Sequence, residues 1–429
     1  MNKLNFNIKG LLFVGKMSKG YFATTIIQQS LPFLLLPILT RYLSAAEYGF
    51  IALFNFFFYL LNSINGSCIP GIVGNYFYDN DRTKVAKVIG CFFYISILLT
   101  AVLTILILVC YPFLHDYFKF NLLWMCLIPL GALAYNILYI GLSVVRCQKK
   151  VFTYGVFQIS NTLFNTLLSI LFVVVLGWSW GGRVSAVLFA YIAFAGGMIL
   201  YLYKQKYLSF KVDKKMFVDL TKAVLPLIPI SVQTTIISQV GMFFMELYFT
   251  TELLSEYSIG YQIAFCMSLL FSTLLMSWNP FLYEQLAKGE AMDKMFITRL
   301  LYVLYGLLLL GVVFLFFTSG LILRIMTTPD FYGANSFVPW LALGFLFKGM
   351  YHFVFPILIK YEQQRYINRV SLINMVIMIV LNILFAKVFG SIGIAYAFCG
   401  TYFILCLSLL IKAQKVLPLP WLKALIFWK

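Results

Sequence analysis

The sequence predicts an all-α polytopic membrane protein of about twelve transmembrane helices, arranged as two similar six-helix lobes. Three observations predict it. The 429-residue chain is 62% hydrophobic and only 11% charged, and a soluble domain of that length could not solvate such a surface. Apolar runs of about twenty residues recur along it, each long enough to cross a bilayer as a helix. Finally, a set of residues repeats in order at a nearly constant offset, so the second half of the chain resembles the first.

Taken in order, residues 1–19 are basic and mildly amphipathic and read as an interfacial segment. Six spans follow at 20–42, 48–76, 88–112, 121–145, 152–177 and 183–203 and form the N-lobe, 20–203. A lysine-rich connector covers 204–222. The C-lobe, 223–412, holds spans at 223–249, 254–282, 298–323, 334–358, 366–388 and 391–412, and 413–429 is a tail. The first span ends in Leu31–Phe50, a run broken by Pro32 and Pro37 and closed by Arg41; prolines inside such a run kink a helix whose neighbours meet the freed backbone groups.

The repeat rests on five landmarks. Glu47-Tyr48 recurs as Glu256-Tyr257, Pro70 as Pro280 and Pro129 as Pro339. Asn161 with Gly177 recurs as Asn374 with Gly390, and Ile170-Leu171-Phe172 as Ile383-Leu384-Phe385. The offsets drift only from 209 to 213 residues. Six helices per half is an even number, so both halves enter the membrane the same way. Parallel repeats of this kind bind substrate between them.

The formal charge of +18 follows membrane topology rather than any nucleic-acid surface. With both termini cytoplasmic, the inner segments hold 26 of the 32 Lys and Arg and the outer ones five, while Lys348 lies inside a span. Short loops with that bias set orientation. No cleavable secretory signal is expected, because the basic N-terminus leads into a full-length span. The eight cysteines show no metal-binding spacing and read as small packing residues.

Intramembrane polar residues carry the functional signal. Lys348 sits about fourteen residues into its span, roughly 21 Å of helix at 1.5 Å per residue. An ammonium there costs about 2.5–3.5 kcal/mol on insertion scales, so it should face a cavity or a partner. His352 is one turn on, on the same face. The competing reading is a lysine snorkelling to the interface. Arg41 and Arg324 lie near outer helix ends, where interfacial placement is the bland alternative. Glu246 is the clearest acid within a span, a candidate for ion coupling or a counterion to Arg41.

Amides form stripes at helical spacing. Gln158, Asn161, Asn165 and Ser169 share one face, echoed by Ser371, Asn374, Met378 and Asn382. Asn55 and Asn62 share another, and Gln28 and Gln239 add to the set. Such stripes line a wet lumen for hydroxyl-rich ligands, or else hydrogen-bond between helices. Enzyme signals are weak. Asp79-Asn80-Asp81 resembles a metal-binding acidic motif but lies in a short loop, and P-loop, HExxH and GxSxG motifs are absent from the sequence. No cofactor is expected. Without a nucleotide site, transport would draw on an H+ or Na+ gradient or on the substrate gradient.

The opening stretch, with Pro32, Pro37, Arg41-x-Leu43 and Glu47-Tyr48-Gly49, resembles polysaccharide flippases of the O-antigen and capsule type. These belong to the multidrug/oligosaccharidyl-lipid/polysaccharide (MOP) superfamily. The resemblance covers essentially the whole chain. It implies a two-lobed, MATE-like bundle around a central cationic cavity in the bacterial cytoplasmic (inner) membrane. It also implies a non-enzymatic function, the translocation of an undecaprenyl-pyrophosphate-linked oligosaccharide to the periplasmic leaflet by alternating access. Lys348, Arg41 and Arg146 are the implied pyrophosphate-binding cations, and membrane lipids, a glycan polymerase and a chain-length regulator the implied partners. The alternative within the superfamily is a MATE-like ion-coupled exporter of drugs or small organic molecules. Cation exporters need buried carboxylates, which are scarce here.

Overall fold

The computed structural model describes residues 8–426 apart from 79–80, 119, 212, 288 and 290–291. Side chains are described from residue 24 onward, with 25, 113–118 and 425–426 also left aside. Residues 1–7 of the N-terminal segment, and Asp79-Asn80 of the acidic motif, lie outside the described residues.

Among the described residues every regular element is helical. Eleven helical stretches there are long and apolar enough to cross a membrane, from Ala45–Phe77 to Ile392–Val416. The first helix, α1 (Ile8–Tyr42), is 35 residues long and contains Pro32 and Pro37 without a break. Residues 8–19, read from sequence as interfacial, are therefore continuous with the first span. Backbone continuity wins because a helix satisfies its own polar groups wherever it runs.

The chain forms two compact units, residues 1–43 with 54–235, and residues 44–53 with 236–429. The first contains most of α2 (Ala45–Ile64), then α3 (Ile69–Phe77), α4 (Arg82–Phe118), α5 (Leu122–Cys147), α6 (Val151–Ile170), α7 (Ser179–Lys204) and α8 (Lys214–Val224). Its core joins Ile69, Phe92, Leu138, Met198 and Leu202. The connector is partly folded onto it: Leu208, Leu220 and Val224 are in the same core. Arg82 donates to the Gln205 carbonyl, and Ser209 N–H to that of Ala86 at 3.0 Å. Asp213 caps α8 by accepting from Lys215 and Met216 N–H, the side-chain oxygen filling helix donors that otherwise lack partners.

The second unit takes most of α9 (Ile228–Tyr248), then α10 (Thr251–Ala264), α11 (Cys266–Ala287), α12 (Lys294–Met326), α13 (Val338–Lys360), α14 (Gln364–Phe389), α15 (Ile392–Val416) and α16 (Trp421–Ile426). Phe345, Phe353 and Phe398 are fully buried at its centre. Gly344 has no side chain where the Phe398 ring lies, so α13 and α15 approach closely, as small residues allow in membrane bundles. The segment read as a tail is partly structured: α15 continues to Val416, and Trp421 of α16 stacks on Tyr305 of α12 with ring centroids 6.3 Å apart.

Two landmarks of the repeat acquire a physical cause. Gly177 and Gly390 have φ of 65° and 68°, a conformation glycine adopts without penalty. Each turns the chain from one long helix into the next. The first does so through a π-turn at Leu171–Val175, the second directly at the end of α14. Glu47, by contrast, closes a capping box, accepting from Ser44 N–H at 2.8 Å. Its N–H donates to Ser44 Oγ at 3.3 Å in return.

Candidate functional site

In the first unit, α5 presents Tyr135 and Tyr139, one turn apart, with rings stacked at 4.2 Å between centroids. Tyr191 of α7 meets Tyr135 edge-on at 5.1 Å, and Phe58 of α2 stacks on Tyr191 at 5.8 Å. These rings are half-buried, except for the buried Phe58. They bring their phenols, apolar bodies with polar tips, into one row. The Tyr139 hydroxyl accepts from Gln28 Nε2 at 3.2 Å. Gln158 donates to the Tyr154 hydroxyl at 3.3 Å.

Arg183 in the first turn of α7 closes this row. Its Nη1 donates to Asn165 Oδ1 at 2.5 Å and to Ser169 Oγ at 2.6 Å, both on α6. Tyr59 and Tyr191 lie within its electrostatic reach. The amide stripe on α6 thus splits. Asn165 and Ser169 hold a guanidinium, whereas Gln158 and Asn161 are buried among packed helices. Asn161 Oδ1 and Asn62 Oδ1 find no hydrogen-bond partner among the described residues. Asn55 is half-buried. Arg146 is exposed at the end of α5, its guanidinium 5.3 Å from the Tyr154 ring centroid. Tyr154 and Asn165 are eleven residues apart on α6, about 16 Å of helix, so Arg146 and Arg183 serve different ends. Arg41 is exposed at the end of α1.

In the second unit, Lys348 is the eleventh of the 23 residues of α13. Its ammonium lies 5.5 Å from the Tyr402 ring centroid and 5.7 Å from that of Phe345, cation–π distances. It makes no ion pair among the described residues. His352 Nδ1 is 2.7 Å from the Lys348 carbonyl oxygen and, in the tautomer that bond requires, donates to it. The imidazole packs beside Phe271 at 5.5 Å and Tyr351 at 4.3 Å.

The stripe on α14 faces inward. Asn374, Met378 and Asn382 are buried, and Thr401 of α15 donates to Met378 Sδ at 3.1 Å. Asn382 Nδ2 donates to the Met378 carbonyl at 2.7 Å, while neither amide atom of Asn374 has a partner among the described residues. Gln239 is half-buried on α9. Glu246 accepts from Thr251 Oγ1 at 3.2 Å.

Sequence reasoning passed over Arg183, which it counted with the outer loops, and the tyrosine row. A usable signal existed: Tyr135 and Tyr139 are spaced to share a helical face, and Arg183 falls one turn past a glycine-marked reversal. Chemically, the row offers ring faces and hydroxyls suited to sugars. The two cations offer donors for an anion, Arg183 as a planar fork.

A family model described as polysaccharide biosynthesis protein matches residues 20–285. The chain belongs to the polysaccharide biosynthesis protein family. The chain is 25% identical over 288 residues to an uncharacterized membrane protein of Haemophilus influenzae, covering 65% of this chain and 67% of that one. Its fold matches the inward closed conformation of the lipid II flippase MurJ with a TM-score of 0.73, over 96% of this chain and 90% of that one, at 17% identity. An inward-facing MATE family transporter of the MOP superfamily matches with a TM-score of 0.66, over 90% and 95%, at 14% identity. At these identities the likeness is one of fold: an all-helical membrane protein built as MOP transporters are.

Proposed function

We propose that this protein is a flippase. It moves an undecaprenyl-pyrophosphate-linked oligosaccharide repeat unit, of an O-antigen or capsule, from the cytoplasmic to the periplasmic leaflet of the bacterial inner membrane. The two halves, 20–203 and 223–412, rock to give alternating access, with the substrate chemically unchanged. The observation that carries this reading is Lys348, an ammonium midway along α13 that meets two aromatic faces and no carboxylate. A cation kept at that cost serves a negatively charged ligand group, and a pyrophosphate is one. Family membership supports a role in polysaccharide assembly. The tyrosine row with Gln28, Asn165 and Arg183 suits the glycan, and the lipid tail stays in the bilayer. Arg41 and Arg146, exposed at helix ends, act as entry or exit contacts, and an H+ or Na+ gradient or the substrate gradient drives the cycle. A polymerase and a chain-length regulator receive the product.

The test is deletion of the gene followed by analysis of lipid-linked intermediates. Accumulation in the cytoplasmic leaflet, with surface glycan lost, is the expected result. Unchanged intermediates together with new drug sensitivity would replace this reading with a MATE-like exporter.

A further inference from the structure

The end of α12 holds a cavity of about 140 Å³ lined by Gly320, Leu323, Arg324, Tyr332 and Asn335. Three of these carry donors. Arg324 makes no hydrogen bond or ion pair among the described residues. Asn335 is oriented by Ser319, whose Oγ donates to Asn335 Oδ1 at 2.7 Å, leaving Nδ2 to donate elsewhere. Tyr332, 38% exposed, adds a phenol. Among the described residues no carboxylate lines the cavity: Asp330 is exposed, and Glu256 packs its carboxylate against Gly333 instead. A water's share of liquid volume is roughly 30 Å³, so the space admits a phosphate group with a little water.

The surface beside the cavity is apolar. Phe317, Leu321 and Ile325 follow one another along α12 at 77%, 61% and 65% exposure, at spacings that share one helical face. In a membrane that face meets acyl or prenyl chains. A bland reading of Arg324 is a cation complementing the helix C-terminus. That reading accounts for the charge but not for a carboxylate-free cavity with two further donors beside a lipid-facing stripe.

We propose that this cavity binds a lipid-borne phosphate group, with Arg324 as the charge partner, Asn335 Nδ2 and the Tyr332 hydroxyl as neutral donors, and the lipid chain lying along Phe317–Ile325. Its position on the external membrane face rests on the topology with cytoplasmic termini. A phospholipid headgroup and the pyrophosphate of a polyprenyl carrier share this chemistry.

The experiment is native mass spectrometry of the purified full chain with phosphatidylglycerol, a polyprenyl pyrophosphate, phosphatidylcholine or inorganic phosphate. Arg324→Gln and Gly320→Leu are each made in a Lys348→Gln parent, which removes the cation of the central site, and are compared with that parent. The Cβ added at Gly320 meets Asn335 Oδ1 at 3.7 Å, an ordinary contact, so Gly320→Leu fills the cavity without disturbing the helix. An anionic lipid should bind the Lys348→Gln parent at least tenfold better than it binds either cavity variant made in it. Stronger retention of the polyprenyl pyrophosphate than of phosphatidylglycerol makes the carrier the ligand, and the reverse makes it a bulk phospholipid. Equal retention by parent and both cavity variants overturns the proposal, as does inorganic phosphate binding as well as either anionic lipid. None of these readouts involves transport, so failure of the flippase reading in the deletion strain is a separate result.

Discussion

The α5–α7 region of the first unit and the α13–α15 region of the second are built on the same sequence plan but carry different chemistry. Asn161 and Gly177 recur as Asn374 and Gly390, and both glycines have positive φ. Tyr135 has its counterpart in Phe345, 210 residues on, and Tyr191, on the helix that follows Gly177, in Ile404, 213 residues on. Yet the position 213 residues after Arg183 is Tyr396, whose ring packs on Trp340 at 4.6 Å. The residue 210 before Lys348 is Leu138, which is fully buried. Each unit thus places its interior cation at a position the other fills with an apolar or aromatic side chain. The lesson is that the two halves share a sequence plan of helices and turns, while the interior cation stands at a different position in each. Arg183 is held by hydrogen bonds to Asn165 and Ser169, whereas the Lys348 ammonium meets the ring faces of Phe345 and Tyr402.

That contrast predicts opposite stability responses, with the largest effect at Lys348. Lys348→Met should abolish surface glycan while raising the melting temperature of the purified protein, since a buried ammonium costs about 2.5–3.5 kcal/mol on insertion scales. A drop in melting temperature with normal glycan would make Lys348 structural and break the comparison. Arg183→Met should lower both, because hydrogen bonds to charged groups contribute about 1.5–3 kcal/mol. In a double-mutant cycle with Asn165→Ala the losses should be non-additive; simple additivity would show that the α6–α7 bonds do not couple.

Smaller effects probe the shared scaffold. Gly177→Ala and Gly390→Ala should each destabilise by about 1–3 kcal/mol, the cost of a side chain in sparsely populated positive-φ backbone, measured by thermal melting in one detergent. The least effect is expected at Asn374. Replacing it with Leu should be neutral or slightly stabilising, because a buried amide without partners gives up nothing when removed. Asn165→Leu should destabilise. Loss of glycan in Asn374→Leu at normal protein level would instead give that amide a role in transport.

Much of this was legible in the sequence. Lys348 stood out because a lone charge in an apolar span has few readings, and its place midway along α13 agrees with the count of residues. The paired glycines were visible as landmarks, though only the backbone angles explain them. Other readings depended on neighbours. The α6 and α14 stripes look alike in sequence, yet Asn165 meets a guanidinium and Asn374 meets no partner among the described residues, because what a helix face touches is set by helices distant in the chain. Arg183 was hidden for the same reason: in sequence it sits beside a turn, and only the packing of α7 on α6 draws it to Asn165.

The sequence by itself determined the all-helical membrane class and the family, because hydrophobic length and turn residues act locally along the chain. Only the tertiary structure decided which polar side chains face one another. It made the connector part of the first unit through Leu208, Leu220 and Val224. It also gathered Arg324, Tyr332 and Asn335 around one cavity. Those outcomes depend on which helix faces come together, and in a bilayer that is settled by close packing between helices rather than by hydropathy, which is nearly the same on every face.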